Sequence, residues 1–123
     1  MASAFLFDDY YQLTGDLSLV TLDLTFGSNG QSPNYSVYLD DTALPNLVHC
    51  GVSKKNIRVG NNMNLNGKVL TVVGELVDIA GTDDTLTLNM AVKGGKTDLI
   101  KNYRVITTTG DRAPVSLTVR FTN

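Results

Sequence analysis

The sequence predicts an all-β fold: an antiparallel β-sandwich, jelly-roll or immunoglobulin-like, or a small β-barrel, with seven to nine strands. Three observations predict it. From Thr85 to Gly95 apolar and polar residues alternate strictly, with Leu86, Leu88, Met90 and Val92 on one parity and Thr85, Thr87, Asn89 and Lys93 on the other, the period of a strand with one buried face. Similar apolar runs recur at intervals of about ten residues, separated by Gly, Asn, Asp and Pro clusters. No stretch carries a convincing helical period. At 123 residues the chain reads as a single β domain, 1–123, long enough to bury a core of its own.

Taken in order, residues 1–12 are aromatic and acidic, with Phe5, Phe7, Tyr10 and Tyr11 around Asp8-Asp9. They read as an edge strand or as an N-terminal arm that packs on a neighbouring copy. Leu13 to Phe26 reads as one long strand whose apolar phase changes at Leu19-Val20, the mark of a bulge or bend. Gly27 to Asn34 is a loop by composition, and Tyr35, Val37 and Leu39 alternate in a short strand closed by Asp40-Asp41. Pro45 argues against a central strand before it, with Leu47–Cys50 a short strand behind. Ile57-Arg58-Val59 alternates briefly. Gly60 to Gly67 holds four Asn between two terminal Gly and reads as a loop. Lys68 to Ala80 is apolar on both parities, predicting burial on both faces or a bulge at Gly74. Gly81–Asp84 turns into the alternating strand, Gly94-Gly95 supplies a tight hairpin, and Lys96 to Thr107 returns, so that three consecutive strands form a meander. Thr108–Pro114 is a loop, and Val115, Leu117, Val119 and Phe121 make the final strand.

Charge is unevenly laid out. Residues 1–50 hold six aspartates and no Lys or Arg, while all ten basic residues lie from Lys54 onward among the remaining six acids. The net of −2 and the pI of about 5.1 argue against nucleic acid as a partner. Segregated charge fits a fold with an acidic side and a basic side, on which copies stack head to tail.

Chemistry is sparse. A single cysteine, Cys50, excludes an internal disulfide and reads as a small buried filler. His49 is the only histidine, and on a strand it would point away from its neighbour Cys50, so the two do not make a nucleophile pair. Asp8-Asp9, Asp40-Asp41 and Asp83-Asp84 have turn chemistry without EF-hand spacing. Gly95-Lys96-Thr97 lacks the first glycine of a phosphate-binding loop. No metal, cofactor or catalytic set is expected. There is no run long enough for a membrane span and no basic, apolar leader, so synthesis in the cytoplasm without a signal peptide is the expectation, with incorporation in an exported or viral-type particle left open.

These features lead to a non-enzymatic structural β-domain that self-assembles as a homo-oligomer, a subunit of a tube, shell, fibre or secreted particle. The expected interface is Phe5, Phe7, Tyr10 and Tyr11 against Lys54, Lys55 and Arg58. The alternative is a carbohydrate-binding module, calcium-assisted or not, using Tyr35, Tyr38, Asp40 and Asp41.

Overall fold

In the computed structural model, which describes residues 4–27, 31–79, 85–108 and 110–123, nine strands form a two-layer sandwich. They are β1 (Phe5–Gln12), β2 (Leu19–Phe26), β3 (Gln31–Leu39), β4 (Thr42–Ala43), β5 (Lys54–Asn61), β6 (Val69–Asp78), β7 (Thr85–Lys93), β8 (Leu99–Ile106) and β9 (Arg112–Thr122), with one helical turn, α1 (Asn62–Leu65), after β5. One sheet has the order β1-β9-β6-β3-β4 and the other β5-β2-β7-β8. Two separate sheets make this a sandwich rather than a barrel. Every pairing is antiparallel except β1 with β9, which run parallel from Phe5↔Val115 to Gln12↔Thr122.

The two inner faces meet in one core, built by the expected alternation. β7 buries Leu86, Leu88, Met90 and Val92; β9 buries Ala113 through Phe121 on odd positions; β2 contributes Val20, Leu22 and Leu24. The chain switches sheets repeatedly, and this overturns one expectation. β6 lies between β3 and β9, in the opposite sheet from β7 and β8, so the three do not form a meander. β6 is also buried on one face only. Leu70, Val72 and Leu76 face the core, whereas Val73 is exposed, and the register with β3 and β9 continues through Gly74 without a bulge. The valines on its outer parity reflect β-propensity of a central strand rather than a second buried face.

Several boundaries move. Leu13 to Leu17 does not belong to β2: Leu17 is exposed, and the chain turns at Gly15 (φ 83°) with Asp16 accepting from the Ser18 N–H and hydroxyl. The phase change at Leu19-Val20 does coincide with a register shift, but the extra residue sits in the partner β5. Two stretches read as loops, Gly27–Asn34 and Thr108–Pro114, are partly strand. Pro33 lies in β3 and Pro114 in β9, each paired on one side only, with Leu76 and Glu75 respectively. A strand tolerates the missing N–H where a neighbour is absent. Leu47–Cys50 makes only a single bridge, Tyr35↔Cys50, and Asn62–Leu65 is helical rather than loop. The Gly81–Asp84 turn, with the Asp83-Asp84 pair, lies outside the described residues.

The β7–β8 connection is wider than a two-residue hairpin, since the last pair is Val92↔Leu99. Gly94 does take positive φ, at 100°. Gly95 is required by close approach: a Cβ there would lie 2.5 Å from Tyr11 Cε2 and 2.6 Å from the Gln12 carbonyl oxygen. Gly95→Ala is therefore expected to destabilise by about 1–3 kcal/mol through overpacking, measurable as a lower urea midpoint.

Candidate functional site

The N-terminal segment is an edge strand, and its aromatic residues divide between two fates. Phe5 and Tyr11 are buried in the chain's own core. Phe5 meets Tyr103 edge-on (centroids 5.9 Å apart) and Tyr11 meets Phe121 likewise (6.1 Å), arrangements aromatic quadrupoles favour. The Tyr11 hydroxyl accepts from the Gly95 N–H, and the Tyr103 hydroxyl donates to the Leu6 carbonyl. Phe5 and Tyr11 therefore do not form an arm on a neighbouring copy, because both rings point into the chain's own sandwich. Phe7 is partly buried beneath the Lys101 ammonium, 5.7 Å from its ring centre. Tyr10 (67% exposed) and Leu6 (64%) remain on the outside. Asp8 makes a two-point contact with Arg120, and this hydrogen bonding holds its carboxyl below the usual carboxylate range.

These contacts place β1 beside β8 along one side of the sandwich. Both strands are eight residues long, without proline, glycine or register shift, and among the described residues each has a single pairing partner. β1 carries Asp8 and Asp9; β8 carries Lys101 and Arg104. Leu6, Tyr10, Ile100 and Ile106 flank them as exposed large hydrophobics. The opposite side is built otherwise. β4 has two residues, and β5 carries two register shifts, with Asn56 at φ 56°. Short, bulged and lysine-bearing edges resist pairing with another chain. The β1/β8 side is neither short nor bulged, and its charges, Asp8 and Asp9 on one strand and Lys101 and Arg104 on the other, are of opposite sign.

Lys54, Lys55 and Arg58 lie on β5, at the opposite side of the sandwich from β1. They rim an open cleft of about 330 Å³ whose apolar wall includes Leu44, Leu47 and Ile57.

Of the residues expected to bind sugar, Tyr35 and Asp40 have structural roles in this chain. Tyr35 is buried against Phe26 (5.1 Å) and donates to the Val52 carbonyl. Asp40 sits at φ 51° in the β3–β4 turn, where its carboxylate accepts from the Val69 N–H and faces Lys68. Asp41 is exposed in the same turn. Tyr38 does line a groove, of about 400 Å³, with Asn34, Ser36, His49 and Glu75. Sequence reading missed His49 and Glu75 there, because the fold, not spacing, brings residues 49 and 75 together. Glu75 is paired with Arg112. Cys50 is buried, as its type suggested.

Burial raises the pKa of Tyr11, Tyr35 and Tyr103. The folded state thus holds these phenol protons more tightly than the unfolded chain, whose tyrosines titrate near ~10. The resulting stabilisation is complete below about pH 10 and is lost as pH rises through the folded values. Urea midpoints measured at rising pH are expected to fall only above about pH 10, with phenolate absorbance from these three groups appearing as the fold is lost.

Two buried polar groups were not foreseen. Asn62 is fully buried: its amide nitrogen donates to the Ser18 and Gly94 carbonyls and the Ser18 hydroxyl, and its oxygen accepts from the Thr14 N–H. Asp78 is also buried and accepts from the Thr107 hydroxyl at 2.6 Å, its other oxygen lacking a partner among the described residues. Among the described residues no three His, Cys, Asp or Glu are grouped to hold a metal ion, and no helix is long and apolar enough to cross a membrane. No family model matches the chain, and no curated protein or solved structure is similar to it.

Proposed function

We propose that the protein is a non-enzymatic structural subunit that pairs with a second copy through the β1/β8 side of its sandwich. The observation that carries this is the asymmetry of the edges: one side is bulged and short, the other offers two regular, unbulged strands of opposite charge. Within the chain β1 and β8 run in opposite directions, with Phe5 near Tyr103, Phe7 near Lys101 and Tyr11 near Gly95. A half-turn about an axis along the strands sets β1 of each copy antiparallel to β8 of the other. Asp8 and Asp9 then approach Lys101, both open edges close, and the contact is isologous. Leu6, Tyr10, Ile100 and Ile106 lie along the seam. Such a dimer is a unit from which a tube, shell or fibre can be built through a further contact.

Sedimentation velocity over a range of concentration and salt tests this. A monomer–dimer equilibrium is expected at low salt, weakening as salt screens the charged edges. Lys101→Glu is expected to weaken it about tenfold or more, and adding Asp9→Lys to restore it. A monomer at every concentration overturns the reading. Growth without limit overturns the closed pairing in favour of head-to-tail stacking.

The groove at Tyr38 supports a second reading, a glycan-binding module. Its ring, with Asn34, His49 and Glu75, offers one aromatic surface and several hydrogen-bonding groups. A glycan array probed with the wild type and Tyr38→Ala tests it; signals of equal strength from both would rule the groove out.

A further inference from the structure

We propose that the cleft beside β5 binds a small amphipathic anion: a carboxylate, sulfate or phosphate on an alkyl or aryl body. This inference is independent of edge pairing, since the cleft lies on the other side of the sandwich.

The bulge in β5 carries it. Leu22 pairs with Ile57 and Leu24 with Lys54, so the one residue of β2 between them, Asp23, stands against two of β5, Lys55 and Asn56. On an unbroken strand neighbouring side chains alternate faces. The extra residue, with Asn56 at φ 56° and its N–H held by the Asp23 carboxylate at 2.7 Å, resets that phase. Lys54 and Ile57 then share the inner parity of their partners Leu24 and Leu22, Arg58 takes the outer parity of Thr21, and all three, with Lys55, border one cleft at this edge of the sheet. Bulges that re-aim side chains are over-represented beside functional sites.

The cleft's chemistry is two-part. Its apolar wall is made by Leu44 and Leu47, from the segment after β4, together with Ile57. Its rim carries three cations and no carboxylate, and among the described residues Lys54, Lys55 and Arg58 make no ion pair. Asp23 of β2 is occupied by the Asn56 N–H and by Lys93 at 3.4 Å. The volume of about 330 Å³ falls at the small end of ligand pockets. A neutral apolar body would leave the cations unanswered, and a simple inorganic anion would leave the wall bare. The complement is a body with one charged end, which an arginine holds by paired hydrogen bonds and a lysine by its charge.

Amide chemical shifts of the full chain, titrated with octanoate, test the proposal, with acetate and the neutral octyl glucoside as comparators. Octanoate is expected to shift the amides of residues 44–47 and 54–58 saturably, and Lys55→Glu/Arg58→Glu to weaken it about tenfold or more. Should that reversal unfold the chain, Lys55→Gln/Arg58→Gln reads the same effect in a smaller step. Three results overturn the proposal: octyl glucoside or acetate binding as tightly as octanoate, octanoate shifts mapping elsewhere or nowhere, or the same amides shifting on raising protein concentration alone. The last would assign the cleft to the acidic strand of a second copy.

Discussion

Tyr35→Ala is expected to lower stability by about 3–5 kcal/mol, the usual cost of truncating a buried aromatic. The ring is 1% exposed and lies 5.1 Å from Phe26, bridging the two sheets. Its hydroxyl donates to the Val52 carbonyl at 2.7 Å, and its backbone exchanges both hydrogen bonds with Cys50. Truncation leaves a cavity between layers that rigid ladders on both sides cannot close, and it leaves the Val52 carbonyl with only the weak Cys50 thiol donor at 3.5 Å. For a chain of this length 1 kcal/mol corresponds to about 4 °C in Tm, so a drop of about 12–20 °C is expected by calorimetry. Tyr35→Phe keeps the packing and loses only the hydrogen bond, and should cost about 1–2 kcal/mol. If Tyr35→Ala left Tm unchanged while removing a ligand, the residue would belong to a site and not to the core.

Asn62→Ala is expected to cost about 2–4 kcal/mol, an unusual penalty for a polar-to-alanine change. One amide joins three segments: the Thr14–Ser18 turn before β2, the start of α1, and Gly94 in the β7–β8 connection. Its removal strands the Thr14 N–H and the Gly94 carbonyl, while the Ser18 carbonyl keeps the backbone N–H of residue 62. Each stranded buried group costs about 1–3 kcal/mol, reduced here because Thr14 and Ser18 are exposed and water can reach them. Asn62→Asp should be at least as damaging at neutral pH, since a carboxylate faces the Ser18 and Gly94 carbonyls without a donor. Acid should relieve part of that loss by restoring one O–H donor. Denaturant midpoints of both variants at pH 4 and pH 7 would check it; equal losses at the two pH values would contradict the donor assignment.

Strand periodicity was legible where one face is core and the other solvent. β7 and the later part of β9 follow their alternation residue by residue, because each apolar side chain on the inner parity had only one place to go. It was misleading in β6, where β-branched residues occupy both faces but only one is buried. It failed at Pro33 and Pro114, whose effect depends on whether a neighbouring strand is present, and neighbours are not a local property. The candidate site shows the same division. Lys54, Lys55 and Arg58 were recognisable as a basic group, and the apolar wall they border comes from Leu44 and Leu47, about ten residues away on another turn of the chain.

The sequence by itself determined the all-β class, one buried parity in each well-patterned strand, and the separation of acidic and basic halves. These follow from side-chain transfer and backbone sterics, which act over a few residues. Only the tertiary structure decided that the aromatic N-terminus closes its own sandwich, that β6 and β7 lie in different sheets, that Asn62 ties three segments together, and which edges are bulged. Those outcomes depend on which strands become neighbours, a choice set by the packing of the whole core and by pairings between residues as far apart as Phe5 and Val115.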